Sequence, residues 1–305
     1  GEEKALKIEP SASALGTFDG LHIGHRVLLE EVRKKAKEKN LRSLVFTFPL
    51  PPQNYLGRPK KLILPPKKKL CWLRKEVDQV VVADFSDVCW MSPQKFVQDV
   101  LIDKLRAEVV VVGVNYRFGR DRKGDVDLLR ELGRKHGFEV EVIPPVTLQG
   151  EVVSSTAIRR AIRRGDVEHA ASLLGYLPVI CGTVIRGEGR GKELGFPTAN
   201  LEVDEELITP KEGVFASFVH LEGQMKEGLL YIGYKPTFNG RQKSFEVYVL
   251  SLSENLYGEE IEVRIIKKLR GDKRFPNPGL LKEQIKSDIK NARTLFQNLK
   301  SSPIS

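Results

Sequence analysis

The chain has 305 residues, 41% hydrophobic and 30% charged, with a formal net charge of +10. That length accommodates two domains of ordinary size, and the composition is that of a globular protein rather than a disordered or fibrous one. No apolar run is long enough for a membrane-spanning helix, "GEEKALKIEP" lacks the apolar stretch of a secretory signal, and Cys71, Cys89 and Cys181 have neither zinc-ligand nor disulfide-framework spacing. The expectation is a cytoplasmic protein whose cysteines are small buried hydrophobes.

Through the first half, strand-like runs alternate with amphipathic helices. "SALGTF" predicts a short strand and "HIGHRVLLEEVRKKAKEKN" a helix with Val27, Leu28 and Val32 on its apolar side. "LRSLVFTF", "QVVVADF", "AEVVVVG" and "FEVEVIP" predict buried strands. Between them "SPQKFVQDVLIDKL", opened by Ser92 and Pro93, and "DVDLLRELGRKHG", closed by Gly137, predict helices. Continuous apolar strands with intervening helices imply a parallel sheet covered on both faces, an α/β Rossmann-like domain. "SSTAIRRAIRRGDVEHAASLLG" predicts two more helices, broken at Gly165 and restarted at Asp166.

From Val179 the pattern changes. "VICGTVIRG", "GVFASFVHLEG", "EGLLYIGYKPT", "SFEVYVLSL" and "EEIEVRIIKKLR" follow one another with turns and no helices. Such even spacing predicts a small antiparallel β-barrel, and the segment from Asn277 to Lys300 predicts a closing helix. The expected domains are residues 1–177 and 178–305. The basic run Arg58 to Lys75, "RPKKLILPPKKKLCWLRK", reads as a solvated helix face plus linker, or else as a phosphate-attracting rim or an RNA-binding patch. It lacks the interleaved aromatics of a nucleic-acid surface apart from Trp72.

"ALGTFDGLHIGH" carries the first candidate site. A strand runs into a tight turn through Gly16, Phe18, Asp19 and Gly20, and a helix begins near Ile23, so its free N–H groups make an anion site. His22 and His25 flank Gly24 and share one face of the helix start. Two imidazoles beside such a site can stabilise charge on a phosphate. No third residue with suitable spacing argues for a metal there. Downstream, "VSSTAIRR" combines Ser154, Ser155 and Thr156 at a helix start with Arg159 a turn later, a second half-clamp for phosphates or, taken alone, a simple cap with a surface charge.

These segments resemble the nucleotidylyltransferase superfamily with the HxGH motif and its SSTxxR partner. In that superfamily the two histidines contact the phosphates of ATP, which gives His22, His25 and Arg159 catalytic roles and the neighbouring Gly16, Phe18, Asp19, Gly24, Ser154, Ser155 and Thr156 ATP-binding ones. "VGVNYRFG" narrows the resemblance to bacterial FAD synthetases and places Asn115 and Phe118 near the flavin, although Phe118 could equally be core. Ala157 stands where that family often has Arg, and Asn115 where it often has Asp.

The second candidate site is "GEGRGKELGFPTANL". Its glycines let backbone N–H groups approach phosphates, Arg190 and Lys192 add charge, and Thr198 and Asn200 offer oxygens suited to Mg²⁺. The spacing is not that of a Walker A loop. The segment resembles the riboflavin kinase signature GxPTAN at Gly195 to Asn200, and later segments match in order, including Gly233, Glu246, Tyr257 and Arg270. The resemblance implies that Gly191, Lys192, Gly195, Pro197, Thr198 and Asn200 bind ATP, with Thr198 and Asn200 on Mg²⁺. It also implies that Arg270 lies at the flavin and that Glu246 accepts the ribityl hydroxyl's proton. Both signatures in one chain resemble the bacterial bifunctional riboflavin kinase/FAD synthetase family. The implied substrates and products are riboflavin, FMN, FAD and ATP, handled by a monomer or weak homo-oligomer without nucleic-acid or membrane partners.

Overall fold

A computed structural model describes residues 9–187, 191, 195–221, 223–237, 240–250 and 256–301. The chain divides into two units, Gly1–Ser155 and Thr156–Ser305.

In the first unit the elements run β1 (Ser11–Leu15), α1 (Ile23–Lys39), β2 (Arg42–Thr47), α2 (Pro52–Tyr55), α3 (Pro66–Glu76), β3 (Gln79–Val82), α4 (Phe85–Val88), α5 (Pro93–Phe96), β4 (Ala107–Gly113), α6 (Val126–His136) and β5 (Glu139–Ile143). Five strands form a parallel sheet in the order β3-β2-β1-β4-β5. A short hairpin of β6 (Thr147–Leu148) and β7 (Glu151–Val152) follows. Val109 to Val112 of β4 are fully buried, as a strand with both faces covered requires. The helix that opens at Ser92 begins as α but widens into a π-helix over Val97–Lys104, which the sequence pattern did not predict.

The chain leaves β1 toward β2 and β3 and later returns to place β4 on the other side of β1. That reversal creates a crevice beyond the carboxyl ends of β1 and β4, where open α/β sheets bind ligands. The turn after Leu15 and the turn after Gly113 both emerge there, which brings the HIGH segment and the Asn115 segment to one edge of the sheet.

The second unit opens with α7 (Ser155–Arg164), whose first residue belongs to the first unit, and α8 (Val167–Leu174). Six strands then close into an antiparallel barrel: β8 (Val179–Ile185), β9 (Ala199–Val203), β10 (Gly213–Leu221), β11 (Gln224–Thr237), β12 (Gly240–Val249) and β13 (Glu260–Arg270). Around the barrel the order is β10-β11-β12-β9-β8-β13. Phe215, Leu230, Ile232, Val247, Val263 and Ile265 fill its interior, and Val167 of α8 belongs to the same cluster. The helix Pro278–Ser301 lays Ala292 and Phe296 against Val214, Ala216, Leu229 and Ile266 on the outside. The strand β9 went unread in the sequence because "GFPTAN" looks like a turn; its pairing with β8 and β12 makes it a strand.

The cysteines depart from expectation. Cys71 is exposed, Cys89 and Cys181 are half-buried, and none is bonded to another. Cys71 lies on the outer side of α3, where only Lys69 and Leu73 are buried, so helical phase rather than hydrophobicity decides its exposure.

Candidate active sites

The first site is built mainly from backbone. Phe18 (φ 51°) and Leu21 (φ 39°) both adopt left-handed backbone between β1 and α1, a conformation that costs a bulky residue energy unless packing holds it. Packing does: Phe18 and Leu21 are 1% and 4% exposed. Gly20 between them has φ 87°, and a Cβ there would sit 3.0 Å from the Ile63 side chain, so glycine is required. The buried Asp19 accepts from the Ile63 amide at 3.0 Å through Oδ1, and its carbonyl accepts from the Ser155 hydroxyl at 2.9 Å. That second bond spans 136 residues and ties the VSST segment to the glycine turn.

His22 is the N-cap of α1: its Nδ1 accepts from the His25 amide at 3.3 Å. A neutral His22 therefore carries its proton on Nε2, a donor for a substrate oxygen. The two imidazoles stack with centroids 3.6 Å apart and planes 19° from parallel, and the Phe18 ring lies 5.3 Å from His25. Burial pushes the His25 imidazole well below its ordinary range, and the neighbouring His22 and Lys69 push it the same way. His25 is thus neutral at pH 7. Its Nδ1 is buried without a hydrogen-bond partner among the described residues, which suits an atom whose partner is a ligand.

Lys69 is the residue that sequence reasoning missed. The basic run read as a solvated face, yet Lys69 is 2% exposed and its ammonium donates to the carbonyls of Phe48 (2.6 Å), Pro49 (3.0 Å) and Thr17 (3.1 Å). It thereby joins the chain leaving β1 to the chain leaving β2. Burial lowers its pKa to about 8, opposed by the carboxylate of Asp19. The i, i+4 spacing of Lys69 and Leu73 was the available signal, since both lie on the inner stripe of α3.

Asn115 is exposed on the turn after β4. Phe118 is core: it is 5% exposed, with Tyr116 and Phe96 rings 5.9 and 5.6 Å away. Its ring therefore belongs to the hydrophobic core beside the sheet and is not a free stacking surface. Gly16 continues the ladder to β2 through its amide, and Gly24 packs against the His22 ring. Ser154 and Ser155 are half-buried and Thr156 exposed at the start of α7, while Arg159 is 8% exposed rather than the surface charge of the alternative reading.

The second site is built from side chains that the barrel register brings together. Glu246 of β12 pairs with Asn200 of β9 on one side and with Tyr231 of β11 on the other. The Thr198 hydroxyl donates to Glu246 Oε2 at 3.2 Å. Lys235 of β11, which the sequence did not single out, donates to Asn200 Oδ1 at 2.8 Å and lies 3.7 Å from Glu246 Oε1. Gly191 accepts from the Phe196 amide at 2.8 Å, and a Cβ on it would fall 2.9 Å from Thr198 Oγ1, so only glycine lets this stretch lie against the PTAN turn. Pro197 is exposed and Gly195 has φ 87°. Lys192 and Arg190 lie outside the described residues.

Arg270 does not point its charge into open space. Its guanidinium forks onto Asp288 of the C-terminal helix at 2.9–3.0 Å, and Asp288 is 3% exposed. Tyr231 donates to Asp272 at 3.2 Å, and burial followed by the Asp272 carboxylate pushes its phenol up to about 12.

A family model described as FAD synthetase matches residues 5–157, and one described as riboflavin kinase matches residues 174–296. The chain is 36% identical to the bifunctional riboflavin kinase/FMN adenylyltransferase of Listeria monocytogenes, covering 94% of this chain and 92% of that protein. It is 34% identical to that of Haemophilus influenzae (95% and 96% covered) and 35% identical to that of Bacillus subtilis (95% and 94%). A solved structure described as a macrolide-efflux protein from Streptococcus pneumoniae superposes with a TM-score of 0.84 at 31% identity, covering 93% of this chain and 94% of that one. No helix among the described residues is long and apolar enough to cross a membrane. With two site signatures on two differently built units and this similarity along nearly its whole length, the chain belongs to the bifunctional riboflavin kinase/FMN adenylyltransferase family.

Proposed function

We propose that the chain makes FAD from riboflavin in two ATP-dependent steps, one in each domain, with the functional boundary at residues 177 and 178. In the barrel, Glu246 accepts the proton of the ribityl 5′-hydroxyl as that oxygen attacks the γ-phosphorus of ATP and ADP leaves. The donor set fits a hard cation: the Thr198 hydroxyl and the Asn200 amide oxygen flank a carboxylate. Those two residues hold Mg²⁺, which supplies charge neutralisation on the phosphates. Gly191, Lys192, Gly195 and Pro197 cradle the nucleotide, and Arg270, fixed by Asp288, borders the flavin.

In the first unit, a phosphate oxygen of FMN attacks the α-phosphorus of ATP and pyrophosphate leaves. No protein nucleophile is needed. His22 through Nε2 and His25 through Nδ1 donate to phosphate oxygens, from positions set before ligand arrives. Gly16, Phe18, Asp19 and Gly24 shape the turn that admits the triphosphate. Ser154, Ser155, Thr156 and Arg159 complete the clamp, and Asn115 contacts the flavin. The surplus of positive charge attracts these anions. The protein works in the cytoplasm on small molecules, as a monomer or weak homo-oligomer, without nucleic-acid or membrane partners.

The observation that carries the reading is the meeting of Thr198, just before β9, with Asn200 of β9 and Glu246 of β12 in a chain that also stacks two histidines at its sheet's switch point. Incubating the protein with riboflavin, ATP and Mg²⁺ and resolving the flavins by chromatography tests it. FMN should appear first and FAD after it; absence of any flavin product would refute the reading.

A further inference from the structure

The kinase candidates Thr198, Asn200 and Glu246 share a neighbour that the sequence did not single out. The Lys235 ammonium sits 2.8 Å from Asn200 Oδ1 and 3.7 Å from Glu246 Oε1, while Thr198 holds the other carboxylate oxygen. It therefore lies on the oxygens assigned to the metal and to proton transfer. Its side chain is 36% exposed, against 25% for Glu246, so the charge rests at the mouth of the site on a four-carbon stem able to swing outward.

Two cations cannot share one amide oxygen without strong repulsion at this range. We propose that Lys235 is a placeholder cation: it neutralises Glu246 and orients Asn200 before substrate binds, and gives way when the metal–nucleotide enters. The ammonium and the metal compete for the same oxygens, so the affinity for metal–nucleotide is set below what the oxygen donors alone would give. This inference rests on the kinase reading of the barrel.

The test uses the full chain and Mn²⁺ with ADP, free Mn²⁺ being read by electron paramagnetic resonance. The first unit is the same in every protein compared, so differences report the barrel. Lys235→Met should bind Mn²⁺–ADP about five-fold tighter, the upper range for one partly exposed charge pair. Lys235→Gln, which keeps a donor for Asn200 without the charge, serves as the second variant and should gain affinity too. Lys243→Met is the control, because Lys243 donates to Thr209 and the Pro210 carbonyl instead; it should stay within about two-fold of wild type. Unchanged or weaker binding in the Lys235 variants, or an equal gain in Lys243→Met, overturns the proposal. Failure of the wild-type chain to phosphorylate riboflavin would sink the kinase reading by a separate measurement.

Discussion

The two candidate sites are made by opposite means. At the first, the chain's backbone does most of the work: a strained turn between β1 and α1, a histidine spent as a helix cap, and a buried lysine that gathers three carbonyls. At the second, Asn200, Lys235 and Glu246 project from strands of a barrel, with Thr198 just before β9, and the barrel's core is filled independently of them. The difference teaches where function and stability are coupled. Changing a first-site residue disturbs the fold that presents it, whereas the second site can lose its chemistry and keep its barrel.

The strongest test of that contrast is Glu246→Gln. It is isosteric, keeps an acceptor for Thr198, and removes the base together with the negative charge that Lys235 faces. Riboflavin phosphorylation should fall by about 10³-fold, while thermal stability stays within about 0.5 kcal/mol of wild type. A comparable loss of stability would contradict the separation. Next comes His22→Ala, which should reduce FAD formation by about 10²-fold and, unlike Glu246→Gln, also destabilise the first unit by about 1 kcal/mol through loss of the cap. Parallel activity and urea-unfolding measurements read both numbers.

Lys69→Met keeps the apolar stem but leaves the carbonyls of Thr17, Phe48 and Pro49 without their buried donor. The first unit should lose about 1–3 kcal/mol, measured by urea denaturation. If the variant were as stable as wild type, Lys69 would not be what holds the β1 and β2 ends together. The smallest effect concerns pH. The folded pKa of His25 is depressed, so the unfolded chain takes up a proton at its ordinary value of 6.5 while the folded chain does not. Its contribution to stability is complete above pH 6.5 and is lost as pH falls toward the folded pKa, by up to about 1.4 kcal/mol per pH unit. His25→Gln should flatten that slope in unfolding curves collected between pH 7 and 5.

Much of this was legible because it is local. The alternation of apolar strands and helices predicted the sheet, and "HIGH" and "PTAN" each sit within a few residues of the turn they build. What escaped depends on distant pairing. Lys69 looks like its neighbours in a basic run, and only the packing of α3 buries it. The register sets Asn200 beside Glu246 but pairs Lys235 with Gln242, so Lys235 comes to them only by the reach of its long side chain. The Ser155–Asp19 bond and the Arg270–Asp288 fork likewise join segments that no short motif connects. Phe118 could be read two ways from sequence, and the ring packing against Phe96 decided for the core.

The most direct test of two independent sites in one chain is a complementation experiment with His22→Ala and Glu246→Gln proteins, each given ATP and Mg²⁺ and followed by flavin chromatography. His22→Ala should accumulate FMN from riboflavin without FAD. Glu246→Gln should leave riboflavin untouched but convert supplied FMN to FAD, and the mixture should carry riboflavin through to FAD. If His22→Ala also failed to make FMN while remaining folded, or if Glu246→Gln still phosphorylated riboflavin at the wild-type rate, the assignment of one step to each site would be wrong.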